Sequence, residues 1–147
     1  MTRIILPVLL AALALPAAAQ NAPKGFPLDK SYAVISISGF DVQGKGLGLT
    51  VSSDPKGGLR GSGNAGCNGW SAAVILHDDQ IDFTNIVTTK KLCPKPQMTA
   101  EDAFVTSLRS AKRWHVEGDK LVIEGDAARL MLKPGVAELK AMKKKPR

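Results

Sequence analysis

Strand-period alternation along most of the chain, one segment at helical spacing, and a closing run of apolar residues that pair in a single register point to a mainly β domain with one α-helix, an α+β class. At 147 residues the chain has room for one ordinary domain and not for two. Its 44% hydrophobic and 22% charged residues are those of a globular protein that buries its own core.

The N-terminus reads as an export signal. Met1-Thr2-Arg3 is a short basic start, Ile4 to Leu15 is an apolar run, and Ala17-Ala18-Ala19 is a small-residue cleavage pattern, so cleavage is expected after Ala19. The run is short of the ~20 residues that span a bilayer, and Pro7 and Pro16 argue against a membrane helix. With no cysteine beside the cleavage site, no lipid anchor is expected. The expected location is periplasmic or secreted. Residues 20–27 then read as a flexible leader, residues 28–133 as the domain, and residues 134–147 as a basic C-terminal tail, with Lys140, Lys143, Lys144, Lys145 and Arg147.

Within the domain, Tyr32 to Ile37 is β-branched and apolar, a first strand. A turn with Gly44, Gly46 and Gly48 leads into Leu47, Leu49 and Val51 at strand period, and Asp54-Pro55-Lys56-Gly57-Gly58 is a turn by composition. Leu59 to Ser62, Trp70 to Leu76 and Gln80 to Thr84 follow as strands with one buried face. The helix comes next. Thr99 with Asp102 three residues on is a capping-box-like start, and Glu101 and Asp102 fall in the first turn. Ala100, Phe104, Leu108 and Ala111 share one face, with Arg109, Lys112 and Arg113 gathered at the C-terminal end.

The last strands are placed by arithmetic. A two-residue turn at Gly118-Asp119 sets Val116 opposite Leu121 and Trp114 opposite Ile123. A loop from Gly125 to Ala128 then sets Ile123 opposite Leu130 and Leu121 opposite Leu132. All six share a face, and a slip of one residue would turn one strand's apolar set outward.

The formal charge is +7, and of the signal's residues only Arg3 contributes to it. A basic exported protein meets anionic envelope components more readily than nucleic acid. Lys90, Lys91 and Lys95 surround Cys93 and could form a basic binding patch, but without interleaved aromatics nucleic-acid binding is not expected. Cys67 and Cys93 are the only cysteines. In an oxidising compartment they read as one disulfide; a catalytic thiol, a metal pair and two free thiols are the alternatives. Closing a loop of ~25 residues would stabilise the fold by roughly 3–4 kcal/mol. Gly61-Ser62-Gly63-Asn64-Ala65-Gly66 matches G-x-G-x-x-G, yet a strand rather than a helix follows, so the glycines read as shaping a turn or a crowded strand crossing. His77 lies in a polar turn and His115 on a strand face turned from the core. The carboxylates are scattered, and none pair for acid–base work. No catalytic, cofactor or metal residue is nominated.

The Gly66-Cys67-Asn68 turn, the stretch Ile81 to Cys93 with Thr89 and Cys93 in a T-x-x-x-C element, Glu101-Asp102-Ala103-Phe104 with Leu108, and Leu121 to Leu132 together resemble the META domain (HslJ-like) family over about residues 28–133. Lys90 stands where that family usually has arginine, and Tyr32 where its first strand has tryptophan. The resemblance implies a small, incomplete antiparallel β-barrel packed on a single helix, related in shape to a lipid-binding secretion pilotin. It also implies a bacterial envelope protein linked to heat stress and antibiotic tolerance, without established enzymatic activity. The expectation is a non-enzymatic, monomeric periplasmic scaffold or binding module, with a protein or lipid partner in the cell envelope. The low aromatic content (5%) suits a scaffold better than a deep ligand pocket. Two rivals are a carrier of lipid or another small apolar ligand, with a cavity beneath Trp114, Leu121, Ile123 and Leu130, and an inhibitor or secretion accessory that binds protein through the loop around Lys90–Lys95.

Overall fold

The structure, a computed structural model, describes residues 25–135. The export signal, most of the leader and the basic tail lie outside the described residues. Nine strands and one helix follow in order: β1 (Ser31–Ile37), β2 (Phe40–Asp41), β3 (Gly48–Ser53), β4 (Leu59–Asn64), β5 (Gly69–His77), β6 (Gln80–Thr88), α1 (Lys95–Arg109), β7 (Ala111–Glu117), β8 (Lys120–Gly125) and β9 (Arg129–Pro134). The class is as expected, mainly β with one helix.

Apolar and β-branched residues at alternate positions make the strands, and neighbouring strands pair antiparallel throughout. The expected incomplete barrel is overturned: eight strands close into a ring, and β2 is an extra two-residue strand on β1. Closure comes from β1, which pairs with β3 on one side and with β9 on the other, from Tyr32↔Pro134 to Ile37↔Leu130. A bulge between Val34 and Ser36 re-aims the strand within that ladder. An eight-stranded barrel has an interior just wide enough for side chains to fill.

The interior is filled accordingly. Leu47, Leu49, Val51, Ile81, Leu121, Ile123, Leu130 and Leu132 form one buried cluster with Phe104 and Leu108 of α1. Trp70 lies at its centre, edge-on to Phe83 and Phe104, and its indole N–H donates to the Gly48 carbonyl at 2.9 Å. The glycine pattern serves this packing. A Cβ on Gly63 would come within 2.2 Å of the Gly48 carbonyl oxygen, and one on Gly61 would press on Val74, Trp70 and Phe83. Phe26, which the sequence places in the leader, stacks edge-on against Trp114 with ring centroids 5.1 Å apart.

The closing strands pair as the arithmetic requires: Trp114↔Ile123, Val116↔Leu121, Ile123↔Leu130 and Leu121↔Leu132. Val116 nonetheless remains exposed, next to the Gly118–Asp119 turn.

The helix departs from expectation at both ends. It starts at Lys95, four residues before Thr99, because Pro at the first helical turn is pre-set for helix and the Gln97 and Met98 N–H groups both reach the Pro94 carbonyl. Thr99 is internal, its hydroxyl donating back to the Lys95 carbonyl at 3.0 Å. It ends at Arg109, so Ala111, Lys112 and Arg113 belong to β7, where Ala111 pairs with Gly125. A Cβ on Gly125 would meet the Ser110 carbonyl at 1.9 Å, so the helix end packs directly on the β8–β9 turn.

Candidate functional site

Beside α1 the barrel wall is thin. β6 and β7 share a single register pair, Gln80↔Arg113, reinforced where the Trp114 N–H donates to the Asp79 carbonyl at 2.8 Å and the Trp114 indole to the Asp78 carbonyl at 3.0 Å. From Ile81 onward β6 has no ladder partner on that side. The strands splay, and α1 fills the wedge with Phe104, Val105 and Leu108.

A network around Asn68 holds α1 in that wedge. Gly66, at φ +110°, turns the chain, and Cys67 is bonded to Cys93 in the segment just before the helix. Asn68 is 2% exposed. Its backbone N–H donates to Glu101 Oε2 and its Nδ2 to Glu101 Oε1, both at 2.8 Å, while Nδ2 also donates to the Lys91 carbonyl at 3.2 Å. Its Oδ1 accepts from the Lys91 N–H at 2.7 Å and from the Thr89 hydroxyl at 2.9 Å. Every donor and acceptor position of the side-chain amide is thereby used. Thr89 Oγ1 in turn accepts from the Gly69 N–H. One amide and one disulfide thus tie the β4–β5 turn, the β6–α1 segment and α1 together. Gly66, Cys67, Asn68, Thr89 and Cys93 all meet here, and what they do geometrically is fix the helix against the open side of the barrel.

The sequence marks Glu101 as a dipole-favouring acid of the first turn and as part of the family-like helix stretch, but the helix starts at Lys95, so neither Glu101 nor Asp102 lies in its first turn. Glu101 is 6% exposed and its partner is Asn68. The available signal was its position, four residues before Val105 and seven before Leu108, on the face that the helix buries.

Outside this lock a groove of about 590 Å³ runs between β6 and α1, with Ile86 and Val87 on one wall and Met98 and Val105 on the other. Lys90, Lys91 and Leu92 close one end, and Leu92 is 93% exposed. At Arg109 this groove meets a second opening of about 740 Å³ between β6 and β7, lined by charges of both signs, among them Asp79, Asp82 and Arg113. Lys90 and Lys91 line the groove together, whereas Lys95, the first residue of α1, stays outside it; Arg109 takes the third cationic place. Among the described residues, Lys90, Lys91 and Arg109 make no ion pair, while Lys112 is paired with Asp126. Residues 25–135 hold thirteen Lys and Arg against twelve Asp and Glu, so most of the +7 lies in the flanking segments and any steering by the domain must be local.

The histidines are elsewhere. His77 Nδ1 sits 3.2 Å from Asp78 in an exposed turn, and His115 Nε2 lies 2.8 Å from Glu117 on the outer face of β7. Among the described residues neither imidazole hydrogen-bonds a hydroxyl, and no group of three His, Cys, Asp or Glu is arranged to hold a metal. The His115 hydrogen bond holds the Glu117 carboxyl below the usual range, with help from the charges of Arg129 and Lys120. Burial pushes the Tyr32 phenol up, and the Asp119 carboxylate adds to it.

A family model described as META domain matches residues 27–136. Among solved structures the chain is similar to an NMR structure of a protein from Burkholderia xenovorans, at 22% identity over 84% of this chain and 98% of that one, with a TM-score of 0.62. It is also similar to a second NMR structure, at 20% identity over 71% of this chain and 87% of that one, with a TM-score of 0.54. At these identities the likeness is one of fold. No curated protein matches the chain.

Proposed function

The chain belongs to the META-domain family, and on that premise we propose that it is a non-enzymatic, monomeric binding module of the periplasm that supports the cell envelope under stress. The observation that carries this reading is the contrast between a filled interior and an open exterior. Leu121, Ile123 and Leu130 are no more than 1% exposed and share one cluster with Phe104 and Leu108. A lipid carrier would need a cavity beneath those residues. The grooves instead lie outside the ring, along β6 and α1. An envelope protein partner, met through Lys90, Lys91 and the adjoining apolar wall, is the occupant this arrangement favours.

Export is supported by the Met1–Ala19 pattern and by a domain whose two cysteines are bonded to each other. Native mass spectrometry of protein recovered from the periplasm without reductant tests the reading. The expected mass is that of residues 20–147 less two hydrogens, with nothing attached. An added lipid-sized mass would instead favour the carrier; retention of residues 1–19 or free thiols would overturn the periplasmic assignment.

A further inference from the structure

The unpaired side of β6 is a strand edge held open beside a groove, and we infer that it binds an extended peptide segment of a protein partner as an added antiparallel or parallel strand, with an acidic residue of that segment at Lys90 and Lys91. This deepens the binding-module reading and rests on it.

Backbone chemistry is the first argument. Every second residue of a strand turns its N–H and C=O away from its one partner, and such groups are a template for another chain. On the β5 side, β6 is paired from Gln80 to Thr88. On the other side its pairing stops at Gln80, leaving a stretch of eight residues, Ile81 to Thr88, without a ladder. At about 3.4 Å per residue that stretch would accommodate a peptide of roughly six residues.

The side chains beside the edge fit an alternating peptide. Val87 is 60% exposed, and with Ile86, Met98 and Val105 it gives apolar contact along the groove. Lys90 and Lys91 at its end are cations with no acidic partner among the described residues. A carboxylate is the group that complements them.

The edge also discriminates against a second copy of this chain. It is recessed, with α1 as the facing wall, so two copies would each have to bring a recessed edge to the other. Asn85, at φ +52°, adds a bulge that breaks β6 midway, a device that discourages edge-to-edge self-pairing. A single narrow strand can enter the groove, and the Asn85 bulge would divide its pairing into a run on either side, Asp82–Thr84 and Ile86–Thr88.

The test is selection of a phage-displayed library of random dodecapeptides on the full chain with its disulfide formed, followed by synthesis of the enriched peptide. The expected peptide alternates β-branched or apolar residues and carries an acid. N-methylation of alternate amides along one edge should weaken it at least tenfold, while the same change along the other edge leaves affinity unaltered. On binding, amides between Asp82 and Thr88 should slow in hydrogen exchange. The paired change Lys90→Glu and Lys91→Glu, on exposed side chains, should lower affinity at least tenfold with the fold intact. No enriched peptide would overturn the proposal together with the groove reading. A peptide that protects the groove but tolerates N-methylation along both edges, or ignores the charge reversal, would overturn strand addition while leaving an external binding groove standing. A dimer in sedimentation, with β6 already protected and no peptide present, would assign the edge to a second copy instead.

Discussion

The ring closes at two seams built in different ways. At the β1–β9 seam, residues nearly a hundred positions apart pair in a ladder from Tyr32↔Pro134 to Ile37↔Leu130, with Val34 and Leu132 packed inward beneath it. At the β6–β7 seam the ladder is one pair long, and a helix does the rest. Phe104 and Leu108 fill the wedge from within, and the Asn68–Glu101 bonds with the Cys67–Cys93 bridge keep α1 in place. The difference teaches how a barrel can leave part of a strand edge free without collapsing. The first seam is held by a continuous backbone ladder, so the loss of one side chain beneath it should not open it locally. The second is held by named side chains, and its stability should depend on them one at a time.

The largest effect should come from the plug. Phe104→Ala removes a fully buried ring touching Trp70 and is expected to lower stability by about 3–5 kcal/mol in urea denaturation. Leu132→Ala, on the ladder seam, should be destabilising by about 2–5 kcal/mol. Only Phe104→Ala should also speed hydrogen exchange selectively along β6 and α1. Equal local effects from both variants would remove the distinction between the seams.

Next comes the bridge. Replacing Cys67 and Cys93 with serine, or reducing them, should lose roughly 2–5 kcal/mol, read as a fall in Tm, with α1 the first element to lose protection. Asn68→Ala removes the Nδ2 donor to the buried Glu101 carboxylate and the acceptor of the Lys91 N–H, and should lose roughly 1–3 kcal/mol. Since the backbone N–H donor survives that change, the loss should be smaller than for Glu101→Ala and Asn68→Ala combined, a comparison that sharpens how far the seam rests on this pair.

The smallest effect lies on the outer face of β7–β9. Glu117 has its folded pKa lowered by the His115 hydrogen bond and then by Arg129 and Lys120. Its contribution is therefore present above the unfolded carboxylate value, about 4.3, and is lost as pH falls through the lower folded value. Because the group is exposed, the Tm difference between the protein and Glu117→Gln should be slight near neutrality and vanish in acid. A difference that grows on acidification would have the wrong sign.

Much of this was legible in the residues because it is local. Alternation at Leu47, Leu49 and Val51 sets a buried strand face, and the Gly118–Asp119 turn forces the register of the last three strands. Closure was not legible. Nothing in Val34 or Leu132 taken alone says that they are neighbours, and a strand pattern has the same appearance whether its sheet is open or joined. The helix start was misplaced because Thr99 has the chemistry of a cap, whereas Pro94 and Pro96 supplied the actual start through backbone geometry. The site was half legible. The cysteines and Asn68 could be picked out by motif, while Glu101 and Arg109 become meaningful only once α1 is laid against β6.

Native-state hydrogen exchange, resolved by residue, tests the unequal seams most directly. Amides of β1 and β9 across the ladder should exchange only with global unfolding, while about every second amide between Asp82 and Thr88, the set turned from β5, should exchange by small local opening. Uniform, global-level protection along β6 and β7 in the free protein would mean that the second seam is a full ladder, and that the barrel has no free edge to offer.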